Sequence, residues 1–442
     1  MKVFKAYDVR ALYPEQLNEE LAYKIGVAYA KYTGAKKVVI GYDMRPSSPS
    51  LFKAISKGLI SQGTDVFNIG LCSTPICYYA NGTQDVDGSI MVTASHNGPG
   101  WNGFKMCKAN AEPLSYRRGL KEIEAMILND ELPPPVKIPG KLTELSMSNE
   151  YYENVKKYVK FTARPKIVID YGNAVGVKEI EGILDLFEVI PLYDELDGTF
   201  PNHEANPLKT ETLDELRKTV VHEKAVFGAA FDGDADRCGF VDEKGEIIGM
   251  DLITALIAED LIRQTGPQTI LYDLRSSKAV PEAIEKAGGK AFMTPVGHAV
   301  IKEDMRAKDA AFAGELSGHY YFKENFYSES QAIVLILLCN MIEASGKSLS
   351  QLVEPLKKYK NTGEINRRVK NIPEILGSFK AAYNDARLIE LDGASFEYED
   401  WWCNIRPSNT EPLLRIFVEA HTEVLLKERT REVLALIKPY EV

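Results

Sequence analysis

Cysteine is scarce in this sequence: six residues in 442, at Cys72, Cys77, Cys107, Cys238, Cys339 and Cys403, with no CxxC pair among them. So few and so scattered, they are expected as free, mostly buried thiols of a reducing compartment rather than as a disulfide framework. Long apolar runs are lacking too. The longest, 332–339 (AIVLILLC), falls far short of the roughly 20 residues that span a bilayer. The start, MKVFKAYDVR, has no apolar core of signal-peptide length. The expectation is a soluble cytoplasmic protein in which the sequon at Asn81 (NGT) is idle. Basic charge is also in short supply, with 53 Lys and Arg against 63 Asp and Glu and a net charge of −10. That disfavours nucleic acid or an anionic membrane as the main partner, since both reward a basic surface. An acidic protein can still bind an anion, but only in a local basic pocket.

What is present is an ordinary globular balance, 45% hydrophobic and 26% charged. At about 150 residues per domain the length suggests three domains, or four if some are small. Three runs share one shape: KKVVIGYD (36–43), RPKIVIDYG (164–172) and PQTILYDLR (267–275). Each passes from a polar start through β-favouring residues to an Asp at or near its end, as buried parallel strands do. Helical patterns between them, such as 18–34 and 252–266, stop at a Gly. The alternation predicts α/β layers with mixed, mostly parallel sheets.

A later strand in each block breaks into a polar loop of small residues: 87–97 (DGSIMVTASHN), 224–237 (KAVFGAAFDGDADR) and 310–319 (AAFAGELSGH). Ligands in open α/β sheets gather at the carboxyl ends of strands. One such loop per block forms a site if the three domains converge on a cleft. The tail differs. Aromatic and β-branched runs flank RPSNT within 396–422, which reads as an antiparallel hairpin packed under a final helix, 423–438. The expected division is three α/β domains, 1–145, 146–248 and 249–362, and a smaller α+β domain with an antiparallel sheet, 363–442, around a central cleft.

In DGDADR, Asp232, Asp234 and Asp236 alternate. Three carboxylates so close repel unless a cation sits among them or their pKa values rise. Oxygen ligands without His or Cys suit Mg²⁺ or Ca²⁺ rather than zinc. An EF-hand is excluded, because Arg237 stands where its sharp turn demands Gly and the preceding segment is a strand. In TASHN, Ser95 lacks the GxSxG elbow of a hydrolase, and its neighbour His96 is expected to point elsewhere, so no triad is indicated. Lys105 of NGFK can transfer a proton if its neighbours lower its pKa. In GELSGH, Glu315, Ser317 and His319 offer a carboxylate, a hydroxyl and an imidazole suited to sugar hydroxyls. RPSNT offers Arg406 with Ser408, Asn409 and Thr410, and Arg415 follows nine residues after Arg406. A guanidinium among neutral donors fits a phosphate monoester, because Arg can meet two phosphate oxygens at once.

TASHN with NGFK, DGDADR, GELSGH and RPSNT, in that order, resemble the four signature loops of the α-D-phosphohexomutase family. FKAYDVR and TPVGHAVIK (294–302) resemble its phosphomannomutase/phosphoglucomutase branch. The resemblance spans the whole chain. It implies a mutase that interconverts hexose 1- and 6-phosphates of mannose or glucose through a bisphosphorylated sugar, hexose 1,6-bisphosphate. Ser95 would be the phosphoserine, and with Asp232, Asp234 and Asp236 it would bind one Mg²⁺. Arg10, Arg237 and Lys105 would flank it, with Lys105 and His319 as acid/base candidates. Glu315 and Ser317, helped by His298, Tyr7 and Arg275, would hold the sugar. Arg406, Ser408, Asn409, Thr410 and Arg415 would hold the phosphate that is not reacting. The implied partners are small phosphosugars, with no nucleic acid and no membrane; the oligomeric state stays open. Within the class, phosphoglucosamine mutase is the alternative. A serine phosphatase would need no second phosphate pocket, and a sugar-phosphate binding protein would need no metal loop. Arg275 stands where the family pattern leads one to expect lysine, and FYSES (326–330) where an acidic pair is expected. HEAN (203–206) and DYGNAVG (170–176) vary segments whose part is structural. These departures bear on substrate preference rather than on reaction type.

Overall fold

The computed structural model describes residues 3–408 and 413–442. Three sheets follow one plan. In the first, Lys37–Tyr42 lies parallel to Asp65–Leu71 and Gly88–Val92, and Trp101–Lys108 then returns antiparallel to Gly88–Val92. In the second, Lys166–Asp170 lies parallel to Glu188–Leu192 and Phe227–Phe231, and Cys238–Asp242 returns antiparallel to the latter. In the third, Thr269–Asp273 lies parallel to Lys290–Thr294 and Phe312–Gly314, and Tyr320–Phe322 returns antiparallel to the latter. The fourth sheet is antiparallel throughout and includes the hairpin Trp401–Pro407 and Leu414–Ala420. The sheets are therefore mixed. In the first three sheets the polar loop joins the last parallel strand to its antiparallel neighbour, and in the fourth it joins two antiparallel strands.

Local sequence explains the elements. Gly88–Val92 and Phe227–Phe231 are buried at every position, because both sheet faces are covered. The helix Glu19–Thr33 begins at Asn18, whose side chain accepts from Leu21 N, and ends at Gly34 with φ 68°. The helix Gln331–Ser345, which contains the longest apolar run, is buried over most of its length and packs into the largest apolar cluster. Among the described residues no single helix is long and apolar enough to cross a membrane.

One large apolar cluster joins the second and third units to part of the first, with Ile76, Met91, Tyr151, Phe231, Phe240 and Ile333 among its members. The first unit has a further core of its own, and the fourth packs Phe379, Phe396, Trp401 and Val433 into a separate one. All six cysteines are free and buried. Asn81 is also buried, its amide donating to Ser89 Oγ and Lys108 O, which leaves no room for a glycan.

Candidate active site

Ser95 follows the strand Gly88–Val92 with φ 52°, a left-handed conformation that costs a non-glycine residue about 1–2 kcal/mol. Its N–H donates to Thr93 Oγ1 at 2.9 Å, and its hydroxyl donates to Asp232 Oδ2 at 2.9 Å. His96 Nδ1 lies 3.1 Å from the same hydroxyl, which corrects the expectation that this neighbour points away. An extended strand sends successive side chains to opposite faces; the left-handed turn at Ser95 brings these two together. Burial, with Arg237 and Arg10 nearby, holds the His96 pKa well below the ordinary imidazole value, so the ring is neutral. Arg10 donates to Asn97 Oδ1 at 2.7 Å and pairs with Asp8 at 2.5 Å.

The second loop meets the first without a side chain between them. A Cβ on Gly233 would lie 2.2 Å from Ser95 O, so only glycine permits the approach. Asp232, Asp234 and Asp236 are all fully buried. Burial, reinforced by Asp234 and Asp236, pushes the Asp232 carboxyl up to about 7. Arg237 donates its N–H to Asp232 Oδ1 at 3.2 Å and holds its guanidinium 3.7 Å from Oδ2. Thr74 Oγ1 donates to Asp234 Oδ2 at 2.5 Å, and Lys105 Nζ donates to Asp234 Oδ2 and Asp236 Oδ2.

Lys105 therefore departs from expectation. Burial alone would lower its pKa, but the attraction of Asp234 and Asp236 outweighs burial and raises it. In this arrangement the amine keeps its proton and neutralises charge.

These residues fit a divalent cation. The three carboxylates present oxygens within 4.8 Å of one another, and Asp234 Oδ1 is buried with no hydrogen-bond partner. Hard oxygen donors of this kind suit Mg²⁺. Asp236, His319 and Glu329 form a second group of similar spacing, but it has one carboxylate fewer, and its imidazole is held protonated by Asp236 and Glu315 and so offers no lone pair to a metal.

His319 connects the metal loop to the third loop. Nε2 lies 3.3 Å from Asp236 Oδ1, while Nδ1 lies 2.9 Å from Ser317 Oγ and 3.3 Å from Glu315 Oε1. Burial would lower its pKa, yet Asp236 and Glu315 prevail and raise it to about 9. Glu315 is ionised: His319 and Arg275 outweigh burial and hold its carboxyl well below the usual range, and Tyr321 OH donates to Oε1. Arg275 folds back on Asp273 at 2.6 Å and lies 3.6 Å from Glu315. His298 opens the helix His298–Lys308, and neither ring nitrogen has a hydrogen-bond partner. Its ring stacks against His319 and meets Tyr7 edge to face, and Tyr7 OH donates to Val296 O at 2.8 Å.

In the fourth unit Arg406 and Arg415 converge on Glu364, at 2.5 and 2.9 Å, and Arg275 reaches it at 3.9 Å. Ser408 N donates to Leu413 O and closes the hairpin. Asn409 and Thr410 lie outside the described residues. One connected polar path runs from Ser95 through Asp232, Asp236, His319, Glu315 and Arg275 to Glu364 and Arg406.

Sequence reasoning missed Glu364, Thr74 and Arg45, and misjudged the direction of His96. A signal for Arg45 was available in the repeated strands. Asp43-Met44-Arg45 and Asp273-Leu274-Arg275 occupy the same place in two units, and in both the arginine N–H and guanidinium return to the Asp carboxylate. In the second unit Gly172 stands at that position, and His203 takes the carboxylate of Asp170 instead.

Three repeated α/β units and a smaller antiparallel one, with the loops of the three α/β units joined by polar contacts, are the architecture of the α-D-phosphohexomutases. The chain belongs to the phosphoglucomutase/phosphomannomutase family. Its alpha/beta/alpha domain I matches residues 1–133, domain II 149–245, domain III 250–359 and the C-terminal domain 364–436. The chain is accordingly an enzyme, a mutase-type isomerase. It is 40% identical over 446 residues to a phosphomannomutase of Methanocaldococcus jannaschii, covering 99% of this chain and 98% of that one. It is 37% identical over 451 residues to a Xanthomonas campestris protein named phosphohexose mutases, covering 99% of both. A crystal structure of a phosphoglucomutase/phosphomannomutase family protein from Burkholderia thailandensis superposes with a TM-score of 0.91 at 29% identity, covering 100% of this chain and 98% of that one.

Proposed function

We propose that this enzyme interconverts the 1- and 6-phosphates of mannose or glucose in the cytoplasm, with Ser95 as the phosphoryl carrier. The observation that carries the reading is the Ser95 hydroxyl bound to Asp232 within the buried carboxylate group, on a polar path that ends in paired arginines. Domain limits near 145, 248 and 362 are part of the proposal, since they assign each loop to its own sheet.

Asp232, Asp234 and Asp236, with the phosphorylated serine, would hold Mg²⁺, which supplies charge neutralisation for a phosphoryl group in transfer. Lys105, Arg237 and Arg10 add fixed positive charge on the serine side, a preorganised field for the transferring phosphoryl group. Glu315 and Ser317 accept from and donate to the sugar's 3- and 4-hydroxyls, with His298, Tyr7 and Arg275 beside them. Arg406, Ser408, Asn409, Thr410 and Arg415 anchor the phosphate that is not reacting. The sugar hydroxyl attacks phosphorus on Ser95, the P–Oγ bond breaks as the new P–O bond forms, and the hydroxyl proton passes to a nearby base. His96, neutral and beside Oγ, is the candidate to accept that proton, and His319, held protonated by Asp236 and Glu315, is the candidate to supply one to the departing Oγ. The bisphosphorylated sugar then turns over, and its other phosphate returns to Ser95. The sugar contacts therefore accept two orientations.

Ser95→Ala tests the reading. The variant is expected to lose mutase turnover by at least about a thousandfold, since no second nucleophile can substitute, and to take up no phosphate from hexose 1,6-bisphosphate by mass spectrometry. Parental turnover in that variant would overturn the carrier assignment.

A further inference from the structure

Arg45 meets the backbone of Ser95 but not its hydroxyl, and its whole guanidinium is hydrogen-bonded. It is 0% exposed, and each of its five N–H groups has a partner. Nε donates to Asp43 Oδ2 at 3.0 Å. Nη1 donates to Gly98 O at 2.8 Å and Trp101 O at 3.1 Å, and Nη2 to Ser95 O and Asn97 O, both at 2.7 Å. A guanidinium buried this completely is tolerable only when its donors are all met. Here three of the five acceptors are carbonyls of the loop that carries Ser95, and a fourth is the carbonyl of Trp101, where the next strand begins.

The arrangement has a base and a lid. Asp43 is held in turn by Ser48 Oγ at 2.5 Å, so the guanidinium is anchored to the strand end and to the helix that follows. On its far side the Phe200 ring of the second unit lies 5.1 Å from Arg45 Cζ. The loop being held has little stability of its own, because Ser95 sits at φ 52°. Gly233 meets the same Ser95 carbonyl from the metal loop. The third unit repeats the device: Arg275, at the corresponding strand end, braces on Asp273 and faces Glu315 of its own unit's loop.

We propose that Arg45 is a positioning residue for phosphoryl transfer, a clamp that holds the Ser95 loop in its left-handed geometry so that Oγ meets the carboxylate group. The inference rests on Ser95 as the phosphoryl carrier. Arg45 does not contact substrate, so its loss acts on the alignment of the transferring atoms and not on sugar binding. Misplacement of a reacting group by about 1 Å costs on the order of 100-fold in rate.

The test is the steady-state kinetics of Arg45→Ala in the full chain, with added guanidinium chloride below its denaturing range and sodium chloride as the matched control. Expected are a fall in kcat of about 100-fold, a KM within about threefold of the parent, and recovery of at least tenfold in kcat with guanidinium but not with sodium. Arg45→Lys is expected to recover less than guanidinium does, because one ammonium cannot span four carbonyls. A kcat within threefold of the parent, or a loss that guanidinium leaves unchanged, overturns the proposal. If Arg45→Ala does not fold, Arg45→Gln and Arg45→Lys carry the same thresholds, with circular dichroism as the check on folding. Ser95→Ala run in parallel separates the two readings. If it is inactive while Arg45→Ala turns over normally, only the clamp fails; if it is active, the carrier assignment fails and the clamp falls with it.

Discussion

At Gly233 the serine loop and the metal loop touch backbone to backbone, and a single added carbon would sit 2.2 Å from Ser95 O. Gly233→Ala must therefore separate the loops or tilt one of them. The expected outcome is a fall in kcat of at least about 100-fold with the global fold retained, read from steady-state kinetics alongside circular dichroism; parental kcat would show that the contact does not matter. At this scale the sequence was informative about residue types and less so about their state. The alternation of Asp232, Asp234 and Asp236 announced mutual repulsion, and the raised Asp232 carboxyl is that repulsion expressed together with burial. Lys105 was legible as a functional amine but not as a proton-holding one. Its charge is set by Asp234 and Asp236, 129 and 131 positions away, and no local pattern records them. His96 was misread because its direction depends on the left-handed backbone of Ser95, which a serine seldom adopts.

The elements meet behind the site at Glu179. Its buried carboxylate accepts from Ser73 Oγ at 2.6 Å, Tyr151 OH at 2.5 Å and Ala332 N at 3.2 Å, one partner from each of the three α/β units. Ser73 caps the helix Thr74–Thr83, whose Thr74 holds Asp234, and Gln331 at the head of the helix Gln331–Ser345 donates to Asp236 O. Burial pushes the Glu179 carboxyl up to about 7 against the opposing hydrogen bonds. An acid whose pKa is raised on folding binds its proton more tightly in the folded state. Its stabilising contribution is full below the unfolded value of about 4.3 and is lost as pH rises through about 7. Glu179→Gln lacks this component. The stability of the parent relative to the variant, from thermal or urea unfolding, should therefore decline between about pH 5 and pH 8; a constant difference across that range would contradict the assignment. The repeated strands and their terminal Asp residues were visible in sequence because buried parallel strands are nearly uniform in composition. The antiparallel return after each chemistry loop was not, since Tyr320–Phe322 and Cys238–Asp242 are too short and too buried to display an alternating pattern.

Across the whole molecule, three units share one apolar cluster while the fourth keeps its own and joins the rest largely through polar contacts. Lys278 N donates to Glu419, and Arg275 and Arg406 meet at Glu364. The arginine anchor is built inside the fourth unit, where Glu364 meets Arg406 from 42 positions away in sequence, a pairing that no local pattern records, while Arg275 reaches the same carboxylate from the third unit. Arg406→Ala is expected to raise KM about 10- to 150-fold, the equivalent of losing one hydrogen-bonded charge contact of roughly 1.5–3 kcal/mol. The serine-side chemistry should be preserved, as judged by phosphate uptake on Ser95; an unchanged KM would remove the anchor from the account. The central claim is that one phosphate passes from Ser95 to the sugar and another returns in its place. The direct measurement loads Ser95 with labelled phosphate and follows the label after unlabelled hexose 1-phosphate is added. The label should move first into hexose 1,6-bisphosphate and then into hexose 6-phosphate. Label that appears only as inorganic phosphate, or that stays on the protein while product accumulates, would contradict the account.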